Sequence, residues 1–263
     1  MSADKHLEAA ADRIIYRMMF LGLLPAVIVG GLGLLINIKA GLISLVAIQI
    51  VWILVVIFRT RGATDQVLRS VGGRSPETDE FPQLDNLLHG LSLTGGVRIP
   101  QVRILDTEAM NAMLVADRDD AKLVITSGLL NGLDRIELEG ALANMLARRR
   151  DGSARYATMV TSMYGNSGAG GGAKMLLLGL GDQRSVRSDL AAIDMTHYPP
   201  GLAAALEKME SVGTYIEGVP AETLHLWLAP AMPIEVAMRN LDESLVLSTM
   251  QPLSLRRAVL EEL

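Results

Sequence analysis

Two long stretches near the N-terminus carry no charge, and they constrain this chain more than any other feature. Residues 18–38 contain no Asp, Glu, Lys or Arg, and neither do residues 41–58. At about 1.5 Å per residue, the first is long enough to cross a hydrocarbon core of about 30 Å, and the second is slightly short. Only Lys39 and Ala40 lie between them, so the two are expected to form an antiparallel transmembrane hairpin. A secretory signal would show a single apolar stretch of about 7–15 residues followed by a small-residue cleavage site, which is a different pattern. The competing reading, a helical hairpin buried in a soluble core, is disfavoured because two uncharged runs of this length rarely occur in soluble domains.

The charges around the hairpin set its expected orientation. Lys5, Arg13 and Arg17 precede the first run; Arg59, Arg61, Arg69 and Arg74 follow the second; Lys39 alone lies in the turn. Flanking cations favour the cytoplasmic side, so both termini are expected there, in a multi-pass protein of an inner (plasma) membrane. Pro25 and the glycines Gly30, Gly31 and Gly33 allow a kink or close helix packing. Gln49 is a lone polar group in the second run, expected to make an interhelical contact rather than to do chemistry.

The resulting organisation is an N-terminal segment at 1–17, the hairpin at 18–58, a polar linker with some helix at 59–80, and a globular domain at 81–263. Those last residues suffice for one compact core. The chain has no cysteine, which excludes disulfides, thiolate metal sites and a cysteine nucleophile. Its net charge of −5 argues against nucleic acid as a partner, since phosphate binding needs a clustered basic surface. The four histidines are His6, His89, His197 and His225. No two stand at i and i+4, so the usual helical zinc pair is absent.

Hydrophobic periodicity predicts an amphipathic helix at 84–93 and strands at 97–105, 110–115 and 122–126. A short helix starts at Ser127, and a longer one covers 133–150. Asp134 is its expected N-cap, with Glu137 completing a capping box. Arg148, Arg149 and Arg150 end it, where cations meet the negative end of the helix dipole. The apolar segments 156–164 and 173–180 are each too short to span a bilayer. Between them the glycine-rich stretch 165–172 lacks the Lys-Ser/Thr ending of a phosphate loop and reads as a linker. A helix at 199–212, a strand at 224–228 and a final helix at 253–263 complete an α+β reading: a small mixed sheet among mostly helices.

Several of these segments, in this order, resemble the HtpX-like membrane zinc metallopeptidases. The family's N-A-F-type strand corresponds to Asn111-Ala112-Met113. Its T-x-G-L-L corresponds to Thr126-Ser127-Gly128-Leu129-Leu130, and its L-D-x-x-E-L-E to Leu133-Asp134-Arg135-Ile136-Glu137-Leu138-Glu139. Arg184-Ser185-Val186-Arg187-Ser188-Asp189 stands where the family has R-x-x-E-A-D. Thr223-Leu224-His225-Leu226 resembles its A-H-L/M-F segment. Thr249-Met250-Gln251-Pro252-Leu253 with Arg256-Arg257 resembles its terminal T-H-P-P-x-x-x-R-I. The resemblance implies a zincin-like domain behind the membrane hairpin.

It also implies a site that this chain does not spell. Where the family has H-E-L-x-H, the chain reads Asn144-Met145-Leu146-Ala147-Arg148. The third ligand, a Glu, corresponds to Arg187, and the terminal-motif His to Gln251. Asp189, His225 and Asn111 are retained family positions. Zinc takes imidazole, carboxylate or thiolate donors, whereas a guanidinium has no lone pair to give and keeps its charge. Met145 cannot accept a proton from water. No catalytic residue, metal or cofactor is therefore expected, unless His89, His197 and His225 build a new metal site. Arg148 and Arg187 are expected to replace the dication electrostatically, paired with Asp189 or Glu139; the alternative is a solvated helix end at 148–150.

Two functions follow. The first is a membrane-anchored, catalytically inactive metallopeptidase homologue. It would bind a peptide or membrane-protein partner as a regulatory or assembly subunit, through strand addition at the edge Asn111, Ala112, Met113 and Leu114. The second is an active membrane zinc metalloendopeptidase of membrane-protein quality control with a non-standard site. A third keeps the domain as scaffold, with the hairpin as the functional part. The bilayer is a partner in each, and a homo-oligomer is compatible with all.

Overall fold

The computed structural model describes residues 3–164, 171–181 and 183–263. Most of the glycine-rich stretch singled out above, residues 165–170, lies outside them. The chain starts with helices α1 (Ala3–Leu21), α2 (Leu23–Leu34) and α3 (Ile38–Arg61). Residues His6–Leu34 and Ile38–Arg61 are long and apolar enough to cross a membrane. Their aliphatic side chains face outward, with Leu24 72% and Ile43 69% exposed, which water would not tolerate over such an area.

Helices α2 and α3 pack closely through their glycines. A Cβ on Gly33 would lie 2.9 Å from the Gly41 Cα, so only a residue without one permits this approach. The helix axis breaks at Gly22, whose N–H turns to the Met19 carbonyl and leaves the Met18 carbonyl free. The Trp52 indole N–H takes it at 2.7 Å, and Gln49 Nε2 donates to the Met19 carbonyl at 3.1 Å. The lone polar group of the second run thus ties the two arms together.

The first helix starts at Ala3, well before the charge-free run, because its N-terminal half belongs to the globular body. Leu7, Ala11 and Ile14 are buried, and Arg155, itself 3% exposed, pairs with Glu8 and with Asp12 at 2.6 Å. At the other end of the hairpin, Arg59 Nη2 donates to the Ser162 carbonyl at 2.9 Å. Much of the expected linker is helix α4 (Ala63–Val71), which buries Val67 and Leu68.

The body is built on a three-stranded mixed sheet, β1 (Gln101–Leu105), β2 (Ala112–Ala116) and β3 (Ala121–Thr126), in the order β1-β3-β2. β1 runs parallel to β3, with Ile104 opposite Ile125; β2 runs antiparallel to it, with Met113 opposite Val124. Side chains alternate across the sheet. Ala112, Leu114 and Ala116 enter the core shared with α5 (Pro82–Gly95), α6 (Ser127–Gly132) and α7 (Arg135–Arg150). Met113 and Val115 enter the other core, with α1, α4, α8 (Ser153–Tyr164) and α9 (Gly171–Leu180). The sheet is therefore covered on both faces.

Helix α7 starts at the predicted capping box. Asp134 Oδ1 accepts the N–H groups of Ile136 and Glu137 at 2.8 and 3.0 Å, and Glu137 Oε2 accepts that of Asp134 at 2.7 Å. Just upstream, a Cβ on Gly128 would sit 2.1 Å from the Glu108 carbonyl oxygen, which explains a glycine after Thr126-Ser127. Helices α10 (Arg184–Thr196), α11 (Pro199–Val212) and α14 (Leu253–Glu261) close the body around α7, while α12 (Ile234–Asn240) and α13 (Glu243–Thr249) pack on the other core. The strand expected at 224–228 is instead a 3-10 helix over Ala221–Leu226. Its turn is closed by Thr223 Oγ1, which donates to the Pro220 carbonyl at 2.7 Å.

Candidate functional site

The family's metal-binding positions fall in the middle of α7, and the structure fills them with a buried polar network. Asn144 and Met145 are both fully buried. Met145 packs in the apolar core. Asn144 Nδ2 donates to Asp189 Oδ1 at 2.7 Å. Asp189, on α10, receives two further bonds from Arg256 of α14, Nε to Oδ2 and Nη2 to Oδ1, each 2.7 Å. The third arm of that guanidinium, Nη1, donates to the Leu228 carbonyl at 2.7 Å. Three helices are thus joined through one carboxylate.

Arg148, one turn along α7 from Asn144, is 2% exposed, and its Nη1 donates to the Trp227 carbonyl at 3.0 Å. Arg184, at the start of α10, donates to the His225 carbonyl. Burial and the nearby Arg184 push Arg148 well below the usual guanidinium range, and burial lowers Arg184 to about 10. Both remain charged near neutral pH.

Buried His225 has Nε2 2.8 Å from Thr161 Oγ1. Burial, reinforced by the Arg184 charge, pushes its imidazole down to about 3, against about 6.5 in an unfolded chain. The unfolded form therefore takes up the proton first. This contribution to stability is intact above about pH 6.5 and is lost progressively as pH falls towards about 3. A His225→Gln variant is expected to show a shallower fall of its unfolding midpoint between pH 7 and pH 5 than the parent. An identical slope would contradict it.

Several sequence expectations need correction. Arg187 is exposed and does not share the buried site with Arg148; the second buried guanidinium is Arg184. Asp189 pairs with Arg256 rather than with Arg148 or Arg187, and Glu139 lies half-buried beside Thr196 and Tyr198. The helix end at 148–150 is not uniformly solvated, because the chain folds back over Arg148 at Trp227. Gln251 is half-buried immediately before α14.

The edge Asn111, Ala112, Met113 and Leu114 is covered by this same stretch of chain. Met113 forms a bridge with Trp227, and the Leu228 N–H donates to the Ala112 carbonyl at 2.7 Å. Asn111 Oδ1 accepts the Ala229 N–H at 3.2 Å. Every residue of β2 is buried. Residues 227–229 occupy the place an added peptide strand would take. The outer edge of β1 is closed as well, by Arg74, which exchanges two backbone bonds with Ile104 at 2.8 and 2.9 Å.

The site does not suit zinc. Among the described residues no three His, Asp or Glu side chains stand close enough to hold a metal; the family's ligand positions present an amide and two guanidiniums, and its general-base position a thioether. No chemical step is therefore routed through a metal on α7. The residues that organise the site and escaped sequence reasoning are Arg256 and Arg184. For Arg256 a signal existed in its fixed spacing from the Thr249 to Pro252 motif.

Comparison with known proteins gives a consistent result. The Protease HtpX homolog of Dictyoglomus thermophilum is 28% identical over 216 residues, covering 69% of this chain and 71% of its own length. That of Dictyoglomus turgidum is 30% identical over 178 residues, 54% of this chain and 59% of its own. That of Tropheryma whipplei is 28% identical over 197 residues, 62% of this chain and 68% of its own. No protein-family model and no solved structure matches the chain. These relatives overturn the expectation of a non-enzyme: each is named a protease, and the expectation rested on the letters at Asn144, Met145, Arg148, Arg187 and Gln251. The ordered resemblance read from the sequence runs in the same direction: over about two thirds of its length the chain is similar to proteins named Protease HtpX homolog.

Proposed function

We propose that the chain works on polypeptide at a membrane surface, as an HtpX-type protease whose reacting groups are not those of the usual zinc helix. The observation that carries this reading is the similarity over 69% of the chain to a protein named as a protease. The apolar hairpin supports the location: α2 and α3 anchor the body, and the pairs of Arg155 with Glu8 and Asp12 hold that body against the base of the anchor. Lys39 alone in the turn, against arginines at both ends of the hairpin, supports an orientation with both termini and the body on the cytoplasmic face of an inner membrane. Membrane proteins with exposed unfolded segments are the substrates such a position favours.

The test uses the full chain purified in a mild detergent, with casein and an unfolded membrane protein as substrates and metal content measured in parallel. Cleavage above that of a mock preparation is expected, and Asn144→Ala is expected to leave it within about threefold. Protein that melts cooperatively yet cleaves neither substrate, with or without added zinc, would overturn the reading. Chelator-sensitive cleavage with one bound zinc per chain would instead place a metal away from the α7 positions.

A further inference from the structure

A groove of ≈ 610 Å³ lies where the membrane-length hairpin meets the body, within the range of about 300–1,000 Å³ usual for ligand sites. Helix α1 lines it from Asp12 to Met19, and the end of α3 lines it at Thr60 and Arg61. The turn between β2 and β3, Asp117 to Asp120, completes it. From Asp12 to Met19 a helix rises about 10 Å, so the groove starts inside the charge-free run and ends beside the globular body. Tyr16, 66% exposed, stands at that boundary, the level at which amphipathic rings sit in a bilayer. Ile15, Met19 and Met159 make part of the groove apolar. A groove that begins at Met19 begins among acyl chains.

Some of its charges are already used within the fold. Asp12 is held by Arg155 at 2.6 Å. Arg149 donates to the carbonyls of Asp117 and Arg118. Asp117 Oδ1 closes the turn by accepting the N–H groups of Asp119 and Asp120, at 2.9 and 2.7 Å. The side chains of Asp119, Asp120 and Arg61 are exposed, and among the described residues none of the three forms a salt bridge. The groove therefore offers an apolar part, a guanidinium and a pair of carboxylates. A phospholipid with a primary amine carries acyl chains, a phosphate and an ammonium in that order. Guanidinium suits phosphate, and an ammonium has three N–H donors for carboxylates. A choline headgroup has no N–H to donate, and a lipid with a net negative headgroup would meet the aspartates unfavourably. We propose that this groove binds the headgroup of phosphatidylethanolamine, its phosphate on Arg61 and its ammonium on Asp119 and Asp120. This inference rests on reading α2 and α3 as a membrane anchor and does not depend on proteolysis.

Two measurements on the full chain separate the site from the anchor. The first is flotation with vesicles of phosphatidylcholine alone, which is expected because the hairpin inserts whatever the headgroup. A chain left in the dense fraction overturns the anchor and the headgroup site together. The second is the unfolding midpoint in non-ionic detergent with phosphatidylethanolamine, phosphatidylcholine or phosphatidylglycerol of identical acyl chains. Phosphatidylethanolamine is expected to raise the midpoint by about 5 °C or more at a hundredfold excess over Kd, and the other two by about half of that or less. Asp119→Asn combined with Asp120→Asn should bring the ethanolamine shift down to the choline one. Arg61→Gln should lower the shift from both zwitterionic lipids. A protein that floats yet responds equally to the ethanolamine and choline lipids would refute the headgroup site and leave the anchor standing. So would a double variant that keeps the preference, and so would a largest shift with phosphatidylglycerol, which would mark the arginines around the hairpin as a general anionic-lipid surface. Should the double variant fail to fold, native mass spectrometry of the parent decides. Preferential retention of phosphatidylethanolamine supports the site, and equal retention of the three lipids refutes it.

Discussion

Replacing Arg256 by Leu is expected to destabilise the globular body by about 3–5 kcal/mol, the usual consequence of removing one partner of a buried ion pair. Arg256 is 1% exposed and gives Asp189 two bonds of 2.7 Å. Without it, the Asp189 carboxylate keeps only the Asn144 amide, and the Leu228 carbonyl loses its donor. Water cannot easily compensate, because the surroundings are closed by α7, α10 and α14. For a body of this size the shift corresponds to a fall of about 10 °C in the unfolding midpoint. The informative control is the double variant Arg256→Leu with Asp189→Asn. It removes both charges together and should recover at least half of the loss, because an uncompensated buried charge, rather than a lost attraction, dominates the single variant. An Arg256→Leu midpoint within about 2 °C of the parent would show that the pair does not organise the fold.

Asn111→Ala is expected to be nearly as damaging, at about 3 kcal/mol. This side chain is fully buried and its amide is used on both sides. Nδ2 donates to the carbonyls of Thr214 and Ala229, each at 3.0 Å. Oδ1 accepts the N–H groups of Ala112 and Ala229 at 2.9 and 3.2 Å. Asn111 therefore fixes β2 to two segments that come from the far end of the chain. Truncation leaves several buried backbone groups unpaired, each worth about 1–3 kcal/mol if water does not reach it. Asn111→Asp separates hydrogen bonding from shape: it preserves the volume but turns an acceptor towards two carbonyls, and it should be no better than Ala. Denaturant unfolding of the three proteins would check this ordering, and an Asp variant as stable as the parent would contradict it.

The retained family letters owe their presence to this kind of architecture. Asn111, Gly128 and Asp189 each satisfy a requirement of the fold that holds whatever occupies the motif helix. Asn111 binds four backbone groups, Gly128 admits the Glu108 carbonyl, and Asp189 gathers Asn144 and Arg256. Asn144, Met145, Arg148, Arg187 and Gln251 stand at the positions where the family pattern is lost. Their departure from it says how this site differs from a zinc site; the relatives' names say what class of protein carries it.

What could be read along the chain was what neighbouring residues decide among themselves. The hairpin announced itself because transfer of a charge-free run into hydrocarbon depends on the run alone. The capping box at Asp134 and Glu137 was legible because both partners lie within one turn. The strands were legible because alternation is local, although Val97 to Pro100 stayed outside β1. Tertiary structure decided the rest. Arg148, Arg149 and Arg150 are three identical letters with three surroundings: the first donates to the Trp227 carbonyl, the second to those of Asp117 and Arg118, and the third lies near Asp194. A helix turns each successive residue by about 100°, so their fates depend on which distant segments α7 meets. The same holds for the edge of β2. Its sequence reads as an open strand, and it is closed by residues 227–229, which only the folded chain brings alongside. Local spacing fixed the anchor, the elements and the family pattern, while long-range pairing turned that pattern into a buried, cation-rich site with no room for an added strand.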